Sequence, residues 1–539
     1  MKYLLTLVLL CSLNAYAQKN NKNFNRPKLM VGLVIDQMRY DFLYRYYDRY
    51  EDGGFKRLMQ NGNNCENMFI NYLPSYTAPG HTCIFTGSVP ALHGIASNDW
   101  IDKITGNDVY CTDDASVTSV GGTQRAGKMS PKNLLVSTIT DELRLATNFK
   151  SKTIAISVKD RASILPGGHT ANAAYWMDDS NGVFMTSSFY TKELPSWVAT
   201  FNNKNIAKQY MDQNWATLFP IETYTQSTND NNAYEGKFSG ETSTNFPHLT
   251  SKLKLSDIKK TPYGNSIVFD FAKEAIVNEK LGLGEITDFL SISCSSPDYI
   301  GHQFGPNSIE VEDAYLRLDR DIASFLNYLD DQVGEGNYTL FLTADHGVAH
   351  NPQFLKDKKI PAGFSFSSKL RDELNTFLNA KYKSNRLIKQ VGENFVWLNH
   401  TVADSLKLDE SVIKKDILKT LSFHDEIQFA IDMDQIQNAI LPTTLKEMAI
   451  NGYNSKRSGD ILLLLNPGWF DAYATTGTTH GTWNPYDTHI PMLWFGWGIN
   501  KGTTKRNVNM TDIAATIATL LHIQMPNGCI GSCITEVVK

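Results

Sequence analysis

Long apolar runs, CxxC cysteine pairs and clusters of basic side chains are all missing from this sequence. No stretch reaches the roughly 20 apolar residues of a membrane-spanning helix, so we expect no membrane span. Lys and Arg are scattered and the formal net charge is -5. The sequence therefore does not predict a basic patch of the kind that binds a nucleic-acid polymer. Without a CxxC pair or a Cys/His ladder, the sequence does not predict a thiolate zinc site.

The N-terminus has the pattern of a secretory signal peptide. A basic start is followed by an apolar run from Tyr3 to Leu10 and by an AxA motif that ends at Ala17. The run is too short for a membrane anchor, and Leu10 precedes Cys11 where a lipoprotein site needs a small residue. We therefore expect residues 1–17 to be removed near Ala17 and the mature protein to be exported, to the periplasm or beyond.

The cysteines beyond residue 17 are compatible with disulfide bonds, because an exported chain reaches an oxidising environment. They are Cys65, Cys83, Cys111, Cys294, Cys529 and Cys533. The last two are near enough in sequence to pair with each other. Six thiols allow 15 full pairings, so the connectivity stays open.

Strand-like and helix-like segments alternate along the chain, as they do in βαβ units. This alternation predicts an α/β fold with a mostly parallel central sheet flanked by helices. Residues 170–280 and 350–470 interrupt it, and we interpret both as cap insertions at the ligand-binding edge of the sheet. Residues 18–539 are then expected to form a single domain that carries these two insertions.

Four apolar, strand-like stretches end at residues that can bind a metal or a phosphate. The stretches are KLMVGLVID, KTIAISVKDR, FLSISCSSPD and YTLFLTADH, and their polar ends are Asp36, Lys159, Arg161, Asp298, Asp345 and His346. In an open α/β sheet, ligands bind outside the carboxyl ends of the strands. Ends that are distant in sequence can therefore meet, and the simplest interpretation is one metal-dependent active site.

Pairs of neighbouring Asp and His residues have the spacing of metal ligands. Asp298 and His302 are four residues apart, so one helical turn directs both side chains the same way. Asp345 and His346 are adjacent, and a turn at Gly347 is expected to let both reach one ion.

His480 and Asp36 complete a set of three aspartates and three histidines. His480 lies in a Thr, Gly and Pro-rich loop that precedes a further apolar strand. Mixed oxygen and nitrogen donors suit two zinc ions better than calcium or magnesium, which favour oxygen alone. The other histidines near these motifs are interpreted as structural: His81, His93, His350 and His489.

Thr77 is the candidate nucleophile. In LPSYTAPGHTCIFTG, Pro79 marks an early helical position, so the free N–H groups of a helix N-terminus would favour a phosphate beside the threonine oxygen. The hydroxyl needs activation, which coordination to a metal supplies. The alternative is that Thr77 only caps this helix.

The ordered set of candidate residues resembles the alkaline phosphatase superfamily, and TAPGHT, HGIASNDW and VKDR are most similar to the secreted bacterial phosphatases of the PafA type. The resemblance spans nearly the whole mature chain. It implies two zinc sites, the first formed by Asp36, Asp345 and His346 and the second by Asp298, His302 and His480. It further implies that Thr77 lies between the ions and that the phosphate oxygens are bound by Asn98, Lys159 and Arg161.

Charge favours a phosphate monoester as the substrate. A monoester carries close to two negative charges and a diester one, and Lys159 and Arg161 add two cations beside the metals. The resemblance implies hydrolysis through a phosphothreonine with release of inorganic phosphate, and it implies no protein partner. Two alternatives stay open: a nucleotide pyrophosphatase or phosphodiesterase of the same superfamily, and an exported protein that binds metal or phosphate without catalysis.

Overall fold

A ten-stranded sheet forms the centre of the protein, which is described by a computed structural model of residues 25–539. In spatial order the strands are Gly502–Thr504, Asn63–Cys65, Met492–Gly496, Tyr338–Thr343, Leu29–Ile35, Asp288–Cys294, Thr153–Ser157, Ala173–Met177, Phe184–Ser187 and Ser119–Val120. The strands from Tyr338–Thr343 to Ala173–Met177 are parallel, and an antiparallel strand joins them on either side. This confirms the predicted fold class. The predicted signal peptide lies outside the described residues.

The central strand shows why this sequence forms a parallel sheet. All residues of Leu29–Ile35, with the sequence LMVGLVI, are buried, and such continuous apolar runs are typical of parallel strands covered on both faces. Ile35 is in register with Cys294, and Val34 with Thr343. Neighbouring strands therefore end at the same level, and the residues that follow them meet at one edge of the sheet.

Helices flank this sheet. For example, Tyr263–Glu279 packs against Asp288–Cys294, and Arg161–Gly167 packs against Thr153–Ser157 and against the helix Thr77–Thr86. The helices of eight or more residues are Thr77–Thr86, Ile139–Ala146, Ser196–Asn203, Tyr263–Glu279, Ser296–Phe304, Ile309–Leu329, Ser367–Tyr382, Glu410–Leu421, Thr443–Gly452 and Asp512–Leu521. Within residues 25–539, none is at once long and apolar enough to cross a membrane.

The range 170–280, expected to be an insertion, belongs in part to the main sheet. Ala173–Met177 and Phe184–Ser187 are strands of that sheet, and Tyr263–Glu279 packs on it. The stretch between them, residues 188–262, contributes no strand to that sheet. The two strands were not recognised because they are short and the surrounding sequence is rich in Asn, Ser and Thr.

The range 350–470 carries a second, smaller sheet, which we call the small sheet. Its strands, in spatial order, are Ile388–Gly392, Phe395–Leu398, Ile461–Leu465 and Ile427–Asp432, all antiparallel. Ser367–Tyr382 and Glu410–Leu421 contribute to its own apolar core. Trp397 and Leu464 of the small sheet belong to a second apolar cluster that also contains Ile95. This cluster joins the small sheet to the segment that carries Asn98.

All six cysteines within residues 25–539 are free thiols. The pair that we considered between Cys529 and Cys533 is therefore not formed in this structure. Cys65, Cys83 and Cys294 are buried in the main apolar core.

A buried acid cluster lies beside the start of the helix Ile309–Leu329. His248 bridges two carboxylates, with Nδ1 3.1 Å from Glu241 Oε1 and Nε2 3.2 Å from Glu310 Oε1. Glu235 is nearby and 5% exposed. Burial, together with the charge of Glu310, raises the pKa of Glu235 to about 9.

This cluster predicts that the protein becomes less stable as pH rises. Between about pH 4.5 and about pH 9, Glu235 keeps its proton in the folded state and loses it in the unfolded state, so the free energy of unfolding falls across that window. Glu235→Gln should make the fall shallower, as measured by urea unfolding at several pH values. The exposed Glu335→Gln is the control. Equal slopes for the wild type and Glu235→Gln would contradict the prediction.

Candidate active site

The ends of four adjacent strands meet, as the strand-end pattern predicts. Asp36, Lys159, Asp298 and Asp345 each follow one of these strands within a few residues. Lys159 Nζ lies 2.7 Å from Asp36 Oδ2 and 2.6 Å from Asp298 Oδ2. Burial alone would lower the pKa of Lys159, but the two carboxylates outweigh it and raise that pKa. This edge thus concentrates buried charges of both signs.

Two buried groups of side chains have donor atoms close enough together to hold a metal ion. One group is Asp36, Asp345 and His346, and the other is Asp298, His346 and His480, with the donor atoms within 4.8 Å of one another in each. The first matches one ligand set implied by the family resemblance. The imidazole rings of His346 and His480 stack with centroids 3.5 Å apart.

His302 is placed beside the second group rather than in it. The helix Ser296–Phe304 directs both Asp298 and His302 to the site, and His302 Nε2 lies 3.0 Å from Asp298 Oδ1. His302 Nδ1 hydrogen bonds with the carbonyl of Thr478, 2.9 Å away. This contact holds the ring so that Nε2 faces the carboxylate.

The donor chemistry fits divalent cations. Asp36 Oδ1 is buried without a hydrogen-bond partner, and Asp345 Oδ2 has only the His81 ring nitrogen nearby, 3.2 Å away. Buried carboxylate oxygens are costly unless a cation or enough donors satisfy them. Burial, followed by the neighbouring carboxylates of Asp298 and Asp345, raises the pKa of Asp36. Burial also lowers the pKa of His346 and of His480, which favours the neutral imidazole that binds metal.

Thr77 is the first residue of the helix Thr77–Thr86. Tyr76 occupies the capping position, with no side-chain cap hydrogen bond, so Thr77 does not cap the helix. Its Oγ1 lies 3.4 Å from His346 Nε2. A Cβ at Gly80 would lie 2.5 Å from the backbone oxygen of Asp345, and glycine therefore allows the helix N-terminus to approach the metal-ligand candidates.

Asp345 and His346 do reach one group of donor atoms, as expected, but Gly347 contributes through close packing rather than through a left-handed turn. Its backbone is not in the left-handed region, so the bend near Asp345 does not depend on a glycine conformation. A Cβ at Gly347 would instead lie 2.2 Å from the carbonyl oxygen of Tyr486. The Gly347 N–H donates to the Asp487 carbonyl at 2.7 Å, which holds the Asp345 loop against this neighbouring segment.

Asn98 and Arg161 are positioned beside the Thr77 helix and the end of the Lys159 strand. Asn98 Oδ1 accepts a 2.9 Å hydrogen bond from the N–H of Ala78. Arg161 Nη1 donates to Tyr110 Oη at 3.1 Å, while Nε is buried without a partner. An unpartnered buried donor of a guanidinium suits an anionic ligand.

Sequence reasoning missed two residues that contact the ligand candidates. His81, interpreted as structural, has Nδ1 3.2 Å from Asp345 Oδ2 and Nε2 2.9 Å from Ser293 Oγ. Gln37 Nε2 donates to Asp298 Oδ1 at 2.6 Å. His81 lies one helical turn after Thr77, and Gln37 directly follows Asp36. These positions were the sequence signals that could have identified the two residues.

The other three histidines that were interpreted as structural lie outside both groups of metal-ligand candidates. His93 Nδ1 accepts from the backbone N–H of Ile95, and His350 is placed between Asn307 and Arg39. His489 stacks on the rings of Tyr40 and Phe69. These contacts are local packing and hydrogen bonds.

Known proteins with similar sequences and structures include several alkaline phosphatases. Residues 30–487 match the type I phosphodiesterase/nucleotide pyrophosphatase family. The chain is 51% identical to a Myroides odoratus protein named a calcium-transporting ATPase, over 98% of each chain. It is 49% identical to the alkaline phosphatase PhoV of Synechococcus elongatus, over 99% of this chain and 98% of that one.

The alkaline phosphatase PafA of Elizabethkingia meningoseptica is 47% identical, over 97% of this chain and 96% of that one. The crystal structure of wild-type PafA matches with a TM-score of 0.94 and covers 96% of this chain and 99% of that chain. A PafA variant of known structure carries substitutions at a threonine, an asparagine, a lysine and an arginine. These four residues have the same order as Thr77, Asn98, Lys159 and Arg161 in this chain, and nearly the same spacing.

These matches cover almost the whole chain at high identity and agree with the sheet and the convergent strand ends. The resemblance noted in the sequence is thereby confirmed. The chain belongs to the type I phosphodiesterase/nucleotide pyrophosphatase family within the alkaline phosphatase superfamily, and it is an enzyme of the alkaline phosphatase branch.

Proposed function

We propose that the protein is an exported, zinc-dependent phosphate monoester hydrolase that acts through a phosphothreonine at Thr77 and releases inorganic phosphate. The observation that carries this proposal is the convergence at one sheet edge of three Asp, three His, a buried lysine and the threonine at a helix N-terminus. The alkaline phosphatases PhoV and PafA, similar over nearly the whole chain, support the same substrate class.

Two zinc ions are proposed as cofactors. Asp36, Asp345 and His346 would hold one, and Asp298, His302 and His480 the other, with Thr77 as a shared neighbour. The unpartnered Oδ1 of Asp36 and the closeness of the donor atoms of Asp36, Asp345 and His346 support the first site, and the contacts of Asp298 with His302 and His480 support the second. Mixed nitrogen and oxygen donors are the basis for preferring zinc.

Asn98, Lys159 and Arg161 are proposed to bind the non-bridging oxygens of the phosphoryl group. Because Asn98 Oδ1 already accepts from Ala78 N–H, its amide nitrogen remains as the donor. The unpartnered Nε of Arg161 supplies a second donor. A phosphate monoester presents more non-bridging charge than a diester, so these groups favour the monoester.

The reaction is proposed to proceed in two in-line displacements. Thr77 Oγ1 forms a bond to phosphorus as the bond from phosphorus to the leaving oxygen breaks, which gives a phosphothreonine and an alcohol. Water then forms a bond to phosphorus from the opposite side, and the bond to Thr77 Oγ1 breaks to release phosphate. When bound, zinc would supply Lewis acidity that lowers the pKa of the threonine hydroxyl and of water.

The other parts of the chain are proposed to serve this site. Residues 1–17 would direct export and then be removed, and residues 18–539 would form one catalytic domain. Residues 188–262 and the small sheet would shape access to the site, consistent with long loops and insertions at the functional edge of a sheet.

Metal removal tests the cofactor proposal. Purified protein is expected to contain about two zinc ions per chain by mass spectrometry, and stripping them should remove aryl phosphate hydrolysis until zinc is restored. Asp298→Asn should reduce the content to about one ion per chain, whereas the exposed Asp404→Asn should leave it unchanged. Full phosphate release by metal-free protein would refute the zinc dependence.

A further inference from the structure

The small sheet extends a hairpin toward the phosphate-binding residues. Its strands Ile388–Gly392 and Phe395–Leu398 are joined by the two residues Glu393 and Asn394, with φ angles of 52° and 61°. Positive φ at both positions is the type I′ turn geometry, which prefers Asn, Asp and Gly. Glutamate at the first position is therefore unfavourable for the backbone, and its presence there calls for another reason.

The hairpin turn contacts two segments of the active site. Glu393 Oε2 accepts a hydrogen bond from Ser97 Oγ, and Asn394 Nδ2 donates to the carbonyl oxygen of Gly481. Ser97 directly precedes Asn98, and Gly481 directly follows His480. One turn of the inserted segment thus touches the neighbours of a proposed phosphate ligand and of a proposed metal ligand.

The surroundings of Glu393 combine one cation with several acidic groups. The positive charge of Arg161 attracts the Glu393 carboxylate, whereas the negative charges of Asp99 and Asp471 repel it. The rings of Tyr76 and Tyr473 are also near. Burial, followed by the charges of Asp99 and Asp471, raises the pKa of Glu393 to about 7. The hydrogen bond from Ser97 acts in the opposite direction and lowers that pKa. A half-buried carboxyl group beside other acids is unfavourable for folding, and the reaction proposed above does not use it.

We propose that Glu393 is a positioning residue that holds Ser97 and thereby fixes Asn98 for contact with the phosphoryl group. The inference rests on the proposed function, in which the Asn98 amide is a phosphate ligand. Asn98 is then held from two sides, because its Oδ1 accepts from Ala78 N–H on the helix side and Glu393 holds its neighbour on the side of the small sheet. Through this contact, the small sheet helps to position the proposed phosphate ligand Asn98.

A double-mutant cycle tests the proposal. Glu393→Ala is expected to lower kcat/KM for an aryl phosphate monoester by about 10- to 100-fold, the effect of misplacing one substrate contact. In an Asn98→Ala background the same change should have little further effect. The inhibition constant of inorganic phosphate should rise with Glu393→Ala and again not change further once Asn98 is absent. The exposed Glu447→Ala is the charge-matched control.

Ser97→Ala removes the donor of the same hydrogen bond and keeps the test decisive if Glu393→Ala does not fold. It should reproduce the loss of activity and be non-additive with Asn98→Ala. Equal losses in both backgrounds, or no loss at all, would overturn the positioning role. If Asn98→Ala alone leaves monoester hydrolysis unchanged, the proposed phosphate contact itself fails, which is a separate result.

Discussion

Replacing Lys159 and Arg161 together by alanine is expected to lower kcat/KM for an aryl phosphate monoester by about 10²- to 10⁴-fold. Each charged group makes hydrogen bonds worth about 1.5–3 kcal/mol, and the dianionic monoester gains most from two cations. Hydrolysis of the matching aryl diester should fall far less. The measurement is the rate of both reactions by zinc-loaded protein, for the wild type and for the double variant.

Lys159 requires an additional control because it lies between two proposed metal ligands. Its ammonium group contacts Asp36 and Asp298, so its removal could change metal binding as well as substrate binding. Zinc content is therefore measured in the same samples, and Arg161→Ala is assayed alone. The exposed pair Lys204→Ala and Lys208→Ala removes two cations elsewhere and should leave both rates unchanged.

The opposite outcome would change the assignment within the superfamily. Equal or better diester hydrolysis, unaffected by the double variant, would favour the nucleotide pyrophosphatase or phosphodiesterase alternative. Lys159 and Arg161 would then have no role in substrate selection, and the charge argument for a monoester would be wrong.

Thr77→Ala is expected to reduce monoester hydrolysis by about 10⁴-fold or more, because it removes the group that we propose forms the covalent intermediate. Thr77→Ser keeps a hydroxyl at the same place and should retain much of the activity. The zinc content of Thr77→Ala should stay close to that of the wild type, since the six Asp and His donors remain.

Trapping tests the covalent step directly. Wild-type protein mixed with substrate and quenched in acid should carry a phosphoryl group on the peptide that contains Thr77, detectable by mass spectrometry. The Thr77→Ala peptide should carry none. Rapid phosphate release by the wild type without any trapped phosphate on Thr77 would show that water attacks the substrate in one step.

Much of the fold and of the proposed site was predictable, because the relevant signals are local. The strand Leu29–Ile35 is recognised by its continuous apolar run, and Asp36 by its place at the end of that run. The spacing of Asp298 and His302 predicts a shared helical face, and the helix Ser296–Phe304 confirms it. The two short strands within residues 170–280 escaped recognition, since their apolar stretches are brief and lie in polar surroundings.

The sequence by itself determined the α/β class, the family and the set of candidate residues, because periodicity, strand ends and motifs are properties of neighbouring residues. Only the tertiary structure decided which of these residues meet. It showed that His81 contacts Asp345 and that Glu393 contacts Ser97, across separations of hundreds of residues. Such contacts depend on sheet order, register and the packing of the small sheet, and these arise from burial of apolar surface by the whole chain.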